Sequence, residues 1–199
     1  MARFGGCVVC LLAAAAIVAG CGKPTAEEYF AHGQQEARKA TLIADSLRSE
    51  DAIREAFRPA LALLENVVRE YPQDSLADSA LFMIASIKQS NLHMPAEAVE
   101  GYREYCRQYP DGKQAAMAMF LIGYLYNNDL HNTDSAAAAY RRFLARFPGS
   151  EMAQSAQFEL DNLGKTPDEV LAPPPSAPPK EGKHRVRTAA ARPPVKAGT

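Results

Sequence analysis

Three aromatic–proline pairs divide the chain at a fixed interval, and that interval leaves few folds open. The step from Tyr71-Pro72 to Tyr109-Pro110 equals the step from there to Phe147-Pro148. Superposing the three windows gives five identities: Ala60/Ala98/Ala136, Pro72/Pro110/Pro148, Ala77/Ala115/Ala153, Ala80/Ala118/Ala156 and Phe82/Phe120/Phe158. Repetition at this period marks a stacked solenoid, in which a unit cannot bury its apolar face alone and buries it on its neighbours. Such chains offer extended surfaces to other chains rather than closing pockets around a reaction.

Each unit reads as a pair of helices. Before the proline, Ala60, Leu64 and Val67 share one helical stripe, as do Ala98, Tyr102 and Tyr105, and Ala136, Tyr140 and Phe143. The alanines mark close helix crossings and the larger side chains fill the space beside them. Proline ends the helix because it cannot extend the hydrogen-bond ladder and disfavours the helical conformation in the residue before it. A second helix is predicted to begin near Ser75, Lys113 or Glu151, carrying Ala77, Ala80, Ile84 and Ile87 in the first unit and their equivalents in the next two. Upstream, Thr25 to Arg48 reads as one helix with Thr25 and Glu28 as a capping box. Pro59 is expected in the first turn of the following helix, where proline is tolerated. Downstream, Glu151 to Asn162 with Gly164 beyond it reads as a terminal cap, its outer face covered by Gln154, Gln157, Glu159 and Asp161.

The order alanine, three residues, a large side chain, two residues, an apolar residue, four residues, then proline resembles the second helix of the tetratricopeptide repeat. The phrases Tyr109-Pro110-Asp111-Gly112 through Phe120-Leu121-Ile122-Gly123-Tyr124, and Phe147-Pro148-Gly149-Ser150, are similar to those of BamD-type outer-membrane assembly lipoproteins. They also resemble the periplasmic coordinator of the Tol–Pal system. The chain carries fewer units than the BamD type and lacks the coordinator's N-terminal coiled coil. The resemblance implies an all-α, tetratricopeptide-like helical-hairpin solenoid whose first helices line a groove for protein partners. Carried onto this sequence, it points to Ser86 and Gln89 in one unit and to Tyr124, Asn127 and Asn128 in the next. A structural reading of the same residues has Asn127 and Asn128 ending a helix and Tyr124 in the core.

The N-terminal region sets an expected location. Arg3 precedes an apolar stretch from Cys7 to Ala19, too short for a span of about 20 residues but suited to the core of a secretory signal peptide. Val18-Ala19-Gly20-Cys21 resembles the lipobox of bacterial lipoproteins. Small residues fit the peptidase cleft, and only cysteine offers a nucleophilic sulfur for a diacylglyceryl thioether. Several acyl chains together make anchoring nearly permanent at about 0.8 kcal/mol per buried CH₂. The alternative is an ordinary signal peptide or short anchor helix with a chance cysteine. Gly22, rather than aspartate, after the cysteine resembles an outer-membrane sorting signal. The expected organisation is a signal peptide over 1–20, a lipidated tether over 21–24, the solenoid over 25–164 and a disordered Pro/Ala/Lys-rich tail over 165–199.

Charge follows the same division. Residues 21–164 hold 14 Lys and Arg against 20 Asp and Glu, a net of −6, while residues 165–199 hold 7 against 3, a net of +4. With Pro173-Pro174-Pro175, Pro178-Pro179 and Pro193-Pro194 and few large apolar residues, the tail cannot offset its ordering entropy by burial. Its run Lys183-His184-Arg185-Val186-Arg187 suits wall polyanions such as peptidoglycan carboxylates, or serves only to solubilise. Cys7 and Cys10 fall within the expected signal. Cys106 takes the place of Val68 and Leu144 in the repeat and reads as a small buried hydrophobe.

Little points to catalysis. His93 and His131 occupy the equivalent phrases Asn91-Leu92-His93 and Asp129-Leu130-His131, one repeat from each other and thus poorly placed to share a metal. No nucleophile–base order, phosphate loop or paired-carboxylate motif stands out. The expectation is a non-enzymatic scaffold with no metal, cofactor or nucleic acid, on the periplasmic face of a bacterial envelope membrane. Outer-membrane protein assembly is the first reading. A Tol–Pal or peptidoglycan-linked adaptor, or a structural tether acting through the tail, is the second.

Overall fold

The computed structural model describes residues 22–47 and 49–171. The expected signal peptide, Cys21 and the tail from residue 172 lie outside the described residues. The described residues form eight helices and no strand: α1 (Ala26–Ala44), α2 (Glu50–Glu70), α3 (Ala77–Ser90), α4 (Pro95–Gln108), α5 (Ala115–Asn128), α6 (Thr133–Arg146), α7 (Ala153–Asp161) and α8 (Pro167–Leu171). The chain divides into one unit through Leu163 and a second from Gly164 onward. In the first, each helix packs on the next in chain order and α1 also touches α3, giving an all-α solenoid of helical hairpins.

The repeated register is what builds the core. Ala60, Leu64, Val67, Ala98, Tyr105, Ala136, Tyr140 and Phe143 are fully buried, and Tyr102 nearly so. Phe82 places its ring 5.3 Å from Tyr102 and 5.7 Å from Tyr105. One unit on, Phe120 repeats this at 5.7 Å from Tyr140 and 5.8 Å from Phe143. Tilted and edge-on rings at these separations add roughly 0.5–1.5 kcal/mol per pair beyond area burial. The third equivalent, Phe158, is 54% exposed.

The aromatic–proline boundaries are built alike. Tyr71, Tyr109 and Phe147 cap α2, α4 and α6, each donating its backbone N–H to the carbonyl four residues back. Each of their carbonyls then accepts from the residue three further on, closing the turn into the next helix. Neighbouring units are tied across these turns. The Tyr71 hydroxyl donates to the Pro24 carbonyl, and Arg146 donates to the Pro110 carbonyl, where Phe147 has no hydroxyl to offer. His93 and His131 sit in the α3–α4 and α5–α6 loops with φ of 51° and 49°. Histidine is among the few non-glycine types enriched in that left-handed region, so one backbone requirement accounts for both.

Several boundaries differ from those expected. The capping box at Thr25 and Glu28 is present, but α1 ends at Ala44 rather than Arg48. The next helix starts at Glu50 behind the Ser49 cap, so Pro59 is interior instead of in the first turn. Repeat alignment misplaced it because α2 extends about two turns beyond its counterparts to pair with the long α1, packing Ile53, Ala56 and Phe57 against it. Pro59 has no N–H to offer the Glu55 carbonyl, and both residues are exposed. The terminal cap at α7 holds in register. Leu81, Phe82 and Ala85 of α3 become Met119, Phe120 and Gly123 in α5, then Gln157, Phe158 and Asp161 in α7. Gln157 and Asp161 are exposed and hydrogen-bonded at 2.7 Å, which makes that face soluble. Glu159 does not cover it, because it turns back to α5.

In the second unit, the start of the segment expected to be disordered instead forms α8. Thr166 caps it, accepting from the Glu169 N–H at 3.3 Å and donating its own N–H to the Glu169 carboxylate at 2.7 Å. This local capping box needs no core, which is how a short polar segment gains a helical turn.

Candidate protein-binding face

The candidate residues lie on α3 and α5, the first helices of their hairpins. Ser86 and Gln89 are half-buried on α3. On α5, Asn127 is half-buried while Tyr124 and Asn128 are exposed. Positions 86 and 124 are equivalent in the repeat, as are 89 and 127, so the register that forms the core also repeats this face.

Hydrogen bonding divides these residues. Gln89 accepts from the Tyr102 hydroxyl at 2.7 Å, linking α3 to α4. Burial pushes the Tyr102 phenol up to about 12, opposed by its contact with the Ser86 hydroxyl. One unit on, glutamine becomes asparagine, shorter by one methylene. Asn127 instead donates to the Glu159 carboxylate of α7 at 3.2 Å, and the equivalent Tyr140 hydroxyl is buried without a partner. Its phenol is held well above the ordinary range, first by burial and then by Glu159 and Tyr124. Asn128 donates to the Tyr124 carbonyl at 3.0 Å, as a helix-end asparagine does. Tyr124 is 40% exposed and offers an aromatic ring beside these amides.

The face has an apolar end that repeat reasoning missed. Leu42 and Arg38 of α1, Phe57 of α2, and Met83, Ser86 and Ile87 of α3 help line a cleft of about 470 Å³. Leu42 is 84% exposed at its mouth. The cleft brings Ser86 together with apolar side chains, but not with Tyr124, Asn127 or Asn128. Leu42 escaped notice because α1 does not follow the repeat, so its outward face cannot be read by alignment.

Cys106, half-buried, is apart from this face and packs with the α4–α5 core. Burial raises its thiol pKa, opposed by Arg146, which is the opposite of a nucleophile's environment. No group of three or more His, Cys, Asp or Glu among the described residues is placed to hold a metal. No helix among them is long and apolar enough to cross a membrane.

Residues 79–112 and 117–150 each match the tetratricopeptide repeat, offset by the same step as the prolines. This region therefore carries two tetratricopeptide repeats, a helical-hairpin repeat that commonly serves protein–protein interaction. No curated protein matches it.

Proposed function

We propose that this protein is a lipid-anchored scaffold on the periplasmic face of a bacterial outer membrane, where it holds protein partners without catalysing a reaction. The observation that carries the scaffold reading is the open face of the first helices, with an apolar cleft at Leu42, Met83 and Ser86 and, one unit on, the exposed Tyr124 with its neighbouring amides. An extended surface of this kind suits an elongated segment of another chain. The anchoring reading rests on Val18-Ala19-Gly20-Cys21, and the outer-membrane reading on Gly22. Support for a close approach to the bilayer comes from the tether. Lys23 pairs with Glu70 and lies 5.6 Å from the Tyr71 ring centroid, so the residues after Cys21 are fastened to the end of α2. A partner held by such a protein is itself at the membrane, which favours a BamD-like role in outer-membrane protein assembly. The basic tail, net +4, favours a second reading as a Tol–Pal or peptidoglycan-linked adaptor or tether.

Replacing the attachment sulfur tests the anchor. Cys21→Ser is expected to leave a soluble or unprocessed chain without acyl label. Radiolabelled palmitate at the normal level in that variant contradicts lipidation. Deleting residues 165–199 separates the two roles: an assembly scaffold keeps its protein partners, and a tether loses its wall association.

A further inference from the structure

Another cleft, lined by α4, α5 and α6, has different chemistry. Between α4 and α6, over a floor from α5, a cleft of about 350 Å³ is lined by Arg103, Arg107 and Arg142 together with Met119, Ile122 and Ala139. No acidic residue lines it. This stands out in a domain whose net charge is −6.

The repeat shows that this charge pattern is particular to one interface. One unit earlier, the positions of Arg103, Arg107 and Arg142 are held by Glu65, Arg69 and Glu104. Glu97 stands there where this cleft has Ser135, and it pairs with Lys88 at 3.3 Å. The neighbouring cleft accordingly mixes both signs, with Arg54, Arg58 and Lys88 beside Glu55, Glu65 and Glu97. The same backbone thus carries a groove lined by both signs at one junction and one whose charged lining is arginine alone at the next.

The arginines differ in how far they are committed. Arg103 pairs with Glu100 at 2.7 Å and lies over the Tyr126 ring at 5.4 Å. Arg107 pairs with Glu104. Arg142 is exposed and has no ion pair among the described residues. Its planar fork is shaped for a carboxylate taken in two parallel hydrogen bonds. Arg103 and Arg107 reinforce the local potential, and Met119, Ile122 and Ala139 supply an apolar floor.

We infer that this cleft binds an acidic segment of a partner protein, seating a carboxylate on Arg142 and an adjacent apolar side chain on the floor. The volume suits one or two side chains, and carboxylates complement all three guanidinium groups. The acidic remainder of the domain repels such a segment elsewhere, which confines it to this cleft. This site is separate from the first-helix face and does not depend on lipidation.

The test is calorimetric titration of the full chain in detergent with the amidated peptide Glu-Leu-Glu-Phe-Glu-Leu. Saturable, salt-weakened binding is expected. Arg142→Glu should weaken it by at least about tenfold, and Arg142→Gln by less. Arg141→Glu makes the same charge change at an exposed neighbour outside the cleft, and should alter affinity by less than about twofold. Unchanged circular dichroism shows that the variants remain folded. Absence of peptide binding overturns the inference, as do equal losses for Arg141→Glu and Arg142→Glu. Phosphatidylglycerol vesicles or inorganic phosphate binding with the Arg142 dependence in place of the peptide would assign the cleft to a phosphate and overturn it too.

Discussion

Adding one methyl group at Gly101 tests how closely the helices cross. A Cβ built there lies 2.8 Å from the Ala85 Cβ and 3.3 Å from its Cα, against 3.4 Å or more for ordinary contact. Neither atom belongs to a flexible side chain, so α3 and α4 must part by roughly 0.6 Å, the shortfall in that contact. Parting them loosens the seam where Phe82 meets Tyr102 and Tyr105. Overpacking costs about 1–3 kcal/mol, toward the upper end here because the crowded atoms cannot swing aside, and alanine's better helix propensity returns about 1 kcal/mol. Gly101→Ala should therefore destabilise by about 1–2 kcal/mol, lowering the melting temperature by roughly 3–8 °C. The repeat supplies the rescue. One unit on, the corresponding positions are Gly123 and Ala139, the same two residue types exchanged. Moving the methyl across in the Ala85→Gly, Gly101→Ala double variant should recover most of the loss. Urea and thermal unfolding of the two single variants and the swap give the coupling, expected to be about 2 kcal/mol. A Gly101→Ala chain about 1 kcal/mol more stable than wild type, as at an uncrowded helix site, would refute the close crossing. A swap equal to the sum of its parts would do the same.

The two equivalent tyrosines should respond oppositely to loss of a hydroxyl. Tyr102→Phe breaks the bond to Gln89 and should cost about 0.5–1.5 kcal/mol, whereas Tyr140→Phe removes an unpartnered buried group and should be neutral or stabilising by up to about 1 kcal/mol. Chemical denaturation checks both, and equal losses would show that the Tyr140 hydroxyl has a partner. Thr25→Ala removes the acceptor for the Glu28 N–H and should destabilise α1 by about 0.5–2 kcal/mol. Amide exchange should quicken first in the opening turn of α1, and unchanged protection there would contradict the role of the cap.

How far the molecule was legible depends on whether a feature obeys the repeat. Ala98, Tyr102 and Tyr105 announced their burial because the same stripe occurs at 60–67 and 136–143. The α2 extension and the α1 end did not, since the first hairpin is longer than its successors and alignment cannot register it. The left-handed φ at His93 and His131 was within reach of the sequence, as two histidines at equivalent helix ends invite a backbone explanation. Of the candidate face, register located Ser86, Gln89, Tyr124, Asn127 and Asn128 but not their commitments. Whether Asn127 meets Tyr140 or Glu159 turns on one methylene and a residue 32 positions away. The arginine cleft was hidden for a similar reason. Its three arginines are spread over positions 103 to 142 and share a cleft only when α4 and α6 are set side by side over α5.

The central claim is that the first-helix face engages protein. A photoreactive amino acid in place of exposed Tyr124, in the membrane-anchored chain in living cells, measures this directly. Placed instead at Arg58 on α2, also exposed, the same probe reports background encounters. The account predicts a discrete cross-linked protein species from position 124 that is absent from position 58. No adduct at 124, or the same adducts at both positions, would contradict it.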